Sequence, residues 1–285
     1  MSTAPTCLGT GLGSVHVMQT TLDIPALGLG TWPLDDAAAE RVVDEAIGIG
    51  YRLVDTAFAY GNELGVGRGL RGSGVPREDV FITTKFNGES HSIDGARAAV
   101  ERSLDNLGTD YVDLVLIHWP MPWQDRYVQA WEGLVALRDS GLVRHIGVSN
   151  FLPEHLDRII AATGVVPALD QLQINPRWTQ PEARAYNAAH GIVTQSWSPL
   201  GQGKGLLEVP AIIDLAHRHR LTPAQLVLAW HRALGLVVVA KSSDPDRLRA
   251  NLAAMELALP DDVVAELSAL DGTEPHVLSP LTFGH

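Results

Sequence analysis

Residues 112–119 read VDLVLIHW, a nearly continuous apolar run that ends in a histidine and a tryptophan. Such a run is typical of a parallel strand covered on both faces, because a half-exposed antiparallel strand alternates apolar and polar residues. Seven more short apolar or β-branched runs occur along the chain: ALGLGTW from Ala26, YRLVDTA from Tyr51, VFITTKF from Val80, VRHIGVSN from Val143, ALDQLQIN from Ala168, IVTQSWSP from Ile192 and LVVVAKSS from Leu236. The sequence therefore predicts eight strands.

Longer segments with a helical period separate these strands. They include DDAAAERVVDEAIGIG, SIDGARAAVERSLDNLG, DRYVQAWEGLVALRDSG and LPEHLDRIIAATG. Each begins near a small polar residue or a proline and ends at a glycine, as capped helices do. Eight repeats of strand and helix predict a (β/α)8 barrel, the TIM barrel. A doubly wound sheet is the main alternative, but no run of Pro, Gly and Ser divides the chain.

The segments outside the eight repeats complete the predicted domain organisation. Residues 1–13 are predicted to form a flexible tail, and residues 14–285 a single barrel domain. VHVMQTTLDIP, from Val15, alternates like a β-hairpin that could plug the bottom of the barrel, and PDDVVAELSALDG near the C-terminus predicts an extra helix. Two helical patterns lie between Val209 and Leu234, so one of them is expected to be an insertion.

Composition excludes several classes of protein. With 21 basic and 33 acidic side chains, the formal charge is −12, which excludes a general nucleic-acid coat because such proteins need clustered Lys and Arg. The single cysteine, Cys7, cannot form an intrachain disulfide or a Cys-based zinc cluster. No apolar stretch approaches the ~20 residues that span a bilayer, and the N-terminus lacks a signal-peptide pattern. We expect a cytoplasmic protein without a membrane or nucleic-acid partner.

Glycine and histidine motifs do not change this expectation. GVGRG, from Gly65, falls within a predicted helix, and GTGLGS, from Gly9, follows no strand, so neither has the context of a dinucleotide-binding turn. The sequence contains no HExxH, and the two histidines of HRHR, from His217, lie on different faces of a helix. No metal site is predicted.

Polar residues follow the strand ends, where barrel enzymes carry their chemistry. They are Asp55 and Tyr60 after strand two, Lys85 in strand three, His118 after strand four, Ser149 and Asn150 after strand five, Gln171 in strand six, Trp197, Ser198 and Pro199 after strand seven, and Lys241, Ser242 and Ser243 after strand eight. Taken singly, each has a structural explanation, such as a helix cap, a core histidine or a lysine at the rim. Their presence together on one face predicts a catalytic site.

The residue types indicate proton transfer to a carbonyl. A free tyrosine has a pKa of about 10, and a neighbouring ammonium group stabilises its phenolate and lowers that pKa. Lys85 can supply the ammonium, and Asp55 can keep it protonated when it is buried. His118 would position a carbonyl oxygen near the Tyr60 hydroxyl. Because none of these groups can reduce a carbonyl, the site needs a separate hydride donor.

The motifs LVDTAFAYGNE, TTKF, LVLIHWP, IGVSNF, SWSPLGQG and the terminal KSS…R…N resemble the successive motifs of the aldo-keto reductase family. The chain is most similar to the bacterial branch that includes 2,5-diketo-D-gluconic acid reductases. The resemblance implies an NADPH-dependent carbonyl reductase, expected to be a monomer, with Asp55, Tyr60, Lys85 and His118 as its catalytic tetrad and Tyr60 as the general acid.

The same resemblance implies the cofactor and substrate contacts. Ser149, Asn150 and Gln171 would bind the nicotinamide carboxamide, and Trp197 would stack on the ring. The other implied cofactor residues are Gly30, Thr31, Ser198, Pro199, Leu200, Gly201, Lys241, Ser242, Ser243, Arg247 and Asn251. Trp32 and Trp119 would line the substrate pocket, which suits small aldehydes, ketones and diketones such as 2,5-diketo-D-gluconate or methylglyoxal. Trp131 and Trp230, on helices, are expected in the core.

The segment expected to bind the cofactor phosphate is rich in basic residues, although the chain as a whole is acidic. KSSDPDRLRAN supplies Lys241, Arg247 and Arg249, and an Arg beside a ribose phosphate favours NADP over NAD. Asp244 lies where related reductases often carry a basic residue, and it would repel the phosphate if it pointed inward.

Three further departures from the family pattern bear on the site. DQLQINP replaces the usual NQVEYHP, which keeps Gln171 but changes Asp170, Gln173, Ile174 and Asn175. Asn251 keeps its expected adenine contact, but Ala250 replaces a usual Glu beside it. Phe86 and Asn87 replace a Trp-Asn pair after Lys85, so substrate preference could differ.

Two other functions remain open from the sequence. One is a cofactor-sensing or regulatory subunit on the same scaffold with little turnover. The other is a different barrel enzyme, such as an aldolase that uses Lys85 as a Schiff base. The aldolase hypothesis leaves the amide set and the cationic cluster without a purpose.

Overall fold

Eight parallel strands form a closed barrel in which each strand pairs with the next and β8 pairs with β1. The structure, a computed structural model, describes residues 22–284. The strands are β1 (Leu27–Gly30), β2 (Leu53–Asp55), β3 (Phe81–Phe86), β4 (Val112–Ile117), β5 (Val143–Ser149), β6 (Leu169–Gln173), β7 (Val193–Trp197) and β8 (Val237–Ala240). The predicted barrel is confirmed.

Helices follow the strands and surround the barrel. Within the described residues they are α1 (Asp36–Ile49), α2 (Glu63–Gly72), α3 (Ile93–Leu107), α4 (Tyr127–Asp139), α5 (Pro153–Thr163), α6 (Pro181–Ala189), α7 (Pro210–Arg218), α8 (Pro223–Ala233), α9 (Pro245–Ala254) and α10 (Asp261–Ser268). Both α7 and α8 lie between β7 and β8, and α10 comes after the eight repeats. The predicted insertion and the extra C-terminal helix are therefore present.

Local sequence accounts for the helix boundaries. At the start of α1, the Asp35 side chain accepts a hydrogen bond of 2.8 Å from the Ala38 N–H, and Ser92 caps α3 through the Gly95 N–H. Gly108 ends α3 in the left-handed conformation, with φ of 65°, which a residue without a Cβ adopts without strain. α1 and α3 thus begin and end close to where their sequences predict.

The main core lies between the strands and the helices. All six residues of β4 are buried, as its continuous apolar run predicts. Trp131 of α4 and Trp230 of α8 are fully buried, so their predicted place in the core is confirmed. No helix in residues 22–284 has both the length and the apolar character needed to cross a bilayer.

The N-terminal end of the barrel is covered by the first described residues. Leu22 and Ile24 pack against Leu114, Leu116 and Leu169. Residues 22–25 form no strand. The rest of the predicted hairpin and the predicted tail, residues 1–13, lie outside the described residues.

Residues 272–284 form a segment without helix or strand, which we call the C-terminal strap. Gln173, at the end of β6, holds it with both ends of its amide. Its Nε2 donates to the His276 carbonyl at 2.8 Å, and its Oε1 accepts from the Leu278 N–H at 3.1 Å. The strap is thereby fastened at the C-terminal end of the barrel.

Candidate active site

Lys85 and Asp55 form a buried ion pair at the C-terminal end of the barrel. β2 ends at Asp55, and β3 carries Lys85 one residue before its end. The Lys85 Nζ donates to Asp55 Oδ1 at 2.5 Å and to the Thr56 carbonyl at 3.0 Å. Burial lowers the pKa of Lys85, but the neighbouring Asp55 and Tyr60 outweigh it, so the pKa stands above its ordinary value. Lys85 is therefore a protonated group at neutral pH.

Tyr60 lies beside this ion pair. It ends the short 3-10 turn Phe58–Tyr60 after β2, and its hydroxyl is 3.4 Å from the Lys85 Nζ. Burial raises the pKa of Tyr60 and Asp55 raises it further, while Lys85 lowers it, and the sum is a pKa above 10.0. The sequence correctly predicts the direction of the Lys85 effect, but the net direction is the opposite because desolvation is the larger effect.

His118 completes the predicted tetrad. It follows β4 directly, and its ring centroid is 5.8 Å from that of Tyr60 with the two rings edge to face. The His118 Nδ1 is 2.8 Å from Asn87 Oδ1, across from the end of β3. The structure thus brings Asp55, Tyr60, Lys85 and His118 together as the strand ends predict.

Ser149, Asn150, Gln171 and Trp197 form one hydrogen-bonded group beside the tetrad. Asn150 Nδ2 donates to Ser149 Oγ at 2.9 Å, and its Oδ1 accepts from the Trp197 indole N–H at 2.9 Å. Ser149 Oγ donates to the Gln171 carbonyl at 2.8 Å. Asn150 has a φ of 61°, a conformation that Asn adopts more readily than most residues. The four predicted residues, which lie at the ends of three neighbouring strands, are therefore linked to one another by hydrogen bonds.

The loop after β7 carries four more predicted residues: Ser198, Pro199, Leu200 and Gly201. Ser198 has a φ of 54° and Gly201 a φ of 71°. Gln202 Nε2 donates to Ser198 Oγ at 2.6 Å, which closes the loop on itself. A Cβ at Gly201 would approach the Leu206 Cβ to 2.5 Å, so this turn needs glycine.

The predicted phosphate cluster lies at the start of α9. Lys241 and Ser243 are exposed, and Ser242 is buried and accepts from the Asp244 N–H at 3.2 Å. Arg247 has a side chain that is 80% exposed, and its Nε lies 3.9 Å from Asp244 Oδ2. Asn251, predicted to contact the adenine, is buried on the next turn of the helix.

Gly30 and Thr31 lie where β1 meets β2. The Thr31 N–H and Oγ1 both donate to the Asp55 carbonyl, at 3.1 and 3.2 Å. A Cβ at Gly30 would approach Val239 Cγ1 to 3.0 Å. Thr31 therefore supports the backbone of Asp55, whatever it contributes to a cofactor.

Trp32 and Trp119 occupy different surroundings. Trp32 is 51% exposed, whereas Trp119 is 3% exposed. The Trp119 ring lies 4.8 Å from the ring of Phe283 in the C-terminal strap and 6.4 Å from the ring of Trp197. Trp119 thus packs against other aromatic rings next to the tetrad, whereas Trp32 is exposed to solvent after the end of β1.

The chain is similar in sequence to known proteins over most of its length. The sequence profile of the Aldo/keto reductase family matches residues 26–271. The chain belongs to the aldo/keto reductase family. An aldo-keto reductase of Mycolicibacterium vanbaalenii is 47% identical over 248 residues, which cover 87% of this chain and 88% of that protein. Methylglyoxal reductase DkgA of Escherichia coli K12 is 44% identical over 249 residues, which cover 87% of this chain and 90% of that protein.

Solved structures agree with the aldo/keto reductase assignment. A mutant of Gox0644 in complex with NADPH is 41% identical, with a TM-score of 0.86 over 91% of this chain and 94% of that one. The Bombyx mori aldo-keto reductase in complex with NADP is 30% identical, with a TM-score of 0.81 over 92% of this chain and 95% of that one. The predicted enzyme class, an NADP-dependent aldo-keto reductase, is confirmed.

Residues that contact the site of this aldo/keto reductase but are absent from the sequence-based set include Asn87 and Phe283. Asn87 is buried and touches His118, and the Trp-Asn comparison could have indicated it. Phe283 lies near the C-terminus, where no strand or helix pattern gives its position. Among the described residues, no three His, Cys, Asp or Glu side chains are arranged to hold a metal ion.

Proposed function

We propose that this enzyme reduces small aldehydes and ketones, diketones among them, with Tyr60 as the proton donor. The observation that carries the proposal is the Lys85 ammonium, which is fixed to Asp55 at 2.5 Å and lies 3.4 Å from the Tyr60 hydroxyl. A relative named methylglyoxal reductase supports a compact dicarbonyl substrate. A 2,5-diketo-D-gluconate-like compound is the other candidate.

The residues at the site fit NADPH, which supplies a hydride when bound. Hydroxyl and amide groups suit the carboxamide, a partly exposed indole suits the nicotinamide ring, and exposed cations at a helix start suit a phosphate. The residues that would hold the cofactor are Ser149, Asn150 and Gln171 at the carboxamide, Trp197 at the ring, Gly30, Thr31, Ser198, Pro199, Leu200 and Gly201 at the pyrophosphate side, Lys241, Ser242, Ser243 and Arg247 at the adenosine 2′-phosphate, and Asn251 at the adenine.

Tyr60 has the properties of a proton donor. Its pKa lies above 10.0, mainly because of burial, so the hydroxyl carries its proton at neutral pH. Once the proton moves to the carbonyl oxygen, the phenolate gains the nearby Lys85 ammonium as a counter-charge. Asp55 keeps Lys85 charged, and His118 would orient the carbonyl oxygen toward the Tyr60 hydroxyl.

The surroundings of Lys85 argue against a Schiff-base enzyme. A lysine nucleophile must be neutral, and Lys85 has a pKa above its ordinary value because Asp55 and Tyr60 outweigh its burial. Its Nζ contacts Asp55, Thr56 and Tyr60. This group serves as a charge rather than as a nucleophile.

Replacement of one hydroxyl tests the proposal. We expect Tyr60→Phe to lower the turnover of NADPH with methylglyoxal by a factor on the order of 1,000, because a general acid contributes about 100- to 10,000-fold. NADPH oxidation is followed by its near-ultraviolet absorbance, and cofactor binding by the quenching of tryptophan fluorescence. Binding should stay within about threefold of the parent.

Tyr51→Phe is the matched control. Tyr51 is also buried, and its hydroxyl donates to the Leu248 carbonyl at 3.1 Å, away from the tetrad. This variant should lose about 1 kcal/mol of stability and keep its turnover. Retained activity in Tyr60→Phe would remove Tyr60 as the acid. A parent enzyme that binds NADPH but reduces none of a panel of aldehydes and diketones would favour the sensing role.

A further inference from the structure

Two buried glutamines lie side by side beneath the tetrad. The strand register pairs Gln171 of β6 with Gln195 of β7, and they are 2% and 0% exposed. Gln171 Nε2 donates to Asp55 Oδ2 at 2.7 Å and to Gln195 Oε1 at 2.6 Å. One amide nitrogen therefore links the carboxylate of the tetrad to a second glutamine that has no assigned role.

Chemistry fixes the orientation of both amides. The Asp55 carboxylate that pairs with Lys85 is ionised, and an ionised carboxylate only accepts hydrogen bonds. The amino group of Gln171 must then face Asp55, and its second N–H is directed to Gln195 Oε1. Both N–H groups of Gln171 are used inside the barrel, which leaves its Oε1 as the amide atom able to accept from a ligand.

Gln195 accepts the Gln171 N–H at a cost to the stability of the fold. Because its oxygen faces Gln171, its Nε2 points elsewhere, and within the described residues that buried nitrogen has no hydrogen-bond partner. A buried N–H without an acceptor destabilises a protein, and an apolar side chain of the same size would avoid the penalty. The role of the Gln195 oxygen toward Gln171 explains a polar residue here.

We propose that Gln195 is a positioning residue that holds Gln171 with its amino group turned inward and its oxygen turned outward. In this orientation Gln171 steadies Asp55 Oδ2, while Asp55 Oδ1 stays on Lys85. The Gln171 oxygen then accepts an N–H from the nicotinamide carboxamide. This inference rests on the proposed function, since it assumes that the carboxamide is bound beside Gln171.

Binding of two cofactors tests the inference without any carbonyl substrate. One is NADP+, and the other is its 3-acetylpyridine analogue, in which a methyl group replaces the carboxamide NH2. We expect the parent to bind NADP+ about fivefold to tenfold more tightly than the analogue, as the loss of one hydrogen bond implies. Dissociation constants are measured by the quenching of tryptophan fluorescence.

The variants separate positioning from general packing. Gln195→Met has a similar size and no acceptor, and it should lower the ratio between the two cofactors, because Asp55 alone then holds the Gln171 amide. Gln195→Glu keeps an oxygen in the same place and should retain the ratio. Adenosine 2′,5′-bisphosphate, which lacks the nicotinamide, should bind all variants alike. Ser196→Ala, at the next buried position of β7, is the matched control and should behave as the parent.

The outcomes are distinguishable. A full NADP+ preference in Gln195→Met would overturn the inference, as would an equal loss of preference in Ser196→Ala. A parent that binds both cofactors equally would show that Gln171 receives no N–H from the carboxamide. A parent that binds neither cofactor would instead contradict the proposed function. Gln195→Met should unfold at a urea concentration close to that of the parent, because it removes the unpaired Gln195 N–H but leaves one Gln171 N–H without an acceptor.

Discussion

Asp244 sets the electrostatics of the predicted phosphate site. It is the N-cap of α9, and its Oδ1 accepts from the backbone N–H groups of Asp246 and Arg247 at 2.9 and 3.1 Å. Its other oxygen lies 3.9 Å from Arg247 Nε. The carboxylate therefore occupies the helix terminus that favours anions and partly neutralises the Arg expected to bind the 2′-phosphate.

Asp244→Asn should increase the preference for NADPH over NADH about threefold to tenfold at low salt. Asn retains the cap, and removing one charge near the phosphate changes the energy by about 1 kcal/mol. Steady-state kcat/KM for both cofactors measures the effect, which should shrink at high salt. Asp246→Asn, whose side chain is 97% exposed and pairs with Arg249, should change the ratio less. Equal ratios for Asp244→Asn and the parent would contradict this account.

Among single residues, the sequence predicts the catalytic tetrad but not the residues that hold the tetrad in place. Asp55, Lys85 and His118 can be placed because parallel strands in a barrel end at one rim. Asn87 is indicated only by the Trp-Asn comparison, and Gln195 is not indicated at all, because its amide acquires its role only from Gln171 on the neighbouring strand. The surroundings of Asp170 likewise could not be predicted from the sequence. Asp170 is fully buried, one of its carboxylate oxygens has no hydrogen-bond partner among residues 22–284, and burial raises its pKa well above the ordinary value.

At the scale of elements, the glycine motif GVGRG has a packing role. Its glycines lie on α2, where a Cβ at Gly65 would overlap the Asp36 carbonyl of α1 and a Cβ at Gly67 would overlap the Leu107 carbonyl of α3. The motif therefore lets α2 approach two neighbouring backbones closely. The sequence correctly predicts a helix here, but the reason for its glycines depends on contacts between helices.

Gly67→Ala should destabilise the fold by about 2 kcal/mol, since an extra methyl group in a closely packed contact forces a backbone shift. Gly48→Ala is the matched control. Gly48 lies in α1, and a Cβ there would meet nothing within 4 Å, so alanine should stabilise the helix by up to about 1 kcal/mol. Urea unfolding followed by circular dichroism measures both. Shifts of the same sign would refute the close-approach argument.

The position of the C-terminal strap could not be predicted from the sequence. Helices and strands leave a periodic pattern, whereas the strap is held by single contacts to distant residues. Gln173 binds it through two backbone groups, and Asn175 Nδ2 donates to Glu274 Oε2 at 3.1 Å. Both residues belong to the DQLQINP segment that departs from the family pattern. The departure therefore coincides with the attachment of the segment that brings Phe283 to Trp119.

For the whole molecule, buried ionisable groups act in opposite directions on stability. Burial lowers the pKa of His91 and His231 from 6.5 to about 4. Their unfolded forms bind more protons in this range, so stability is complete above pH 6.5 and falls as the pH drops toward 4. The raised pKa of Asp170, also caused by burial, lowers stability as the pH rises through it.

His91 allows the acid side to be tested, because its ring is 2% exposed and neither nitrogen has a hydrogen-bond partner among the described residues. Its pKa shift from 6.5 to about 4 implies that the free energy of unfolding falls by about 2 kcal/mol between pH 7 and pH 5 from this group alone. His91→Leu keeps the apolar contact with the Phe86 ring, which lies 6.2 Å away in the parent, and removes the proton site. Urea unfolding of this variant should therefore depend less on pH over that interval, whereas His217→Gln, at an exposed histidine, should keep the parent's dependence. Parallel pH profiles for His91→Leu and the parent would show that His91 is not what makes the fold acid-sensitive.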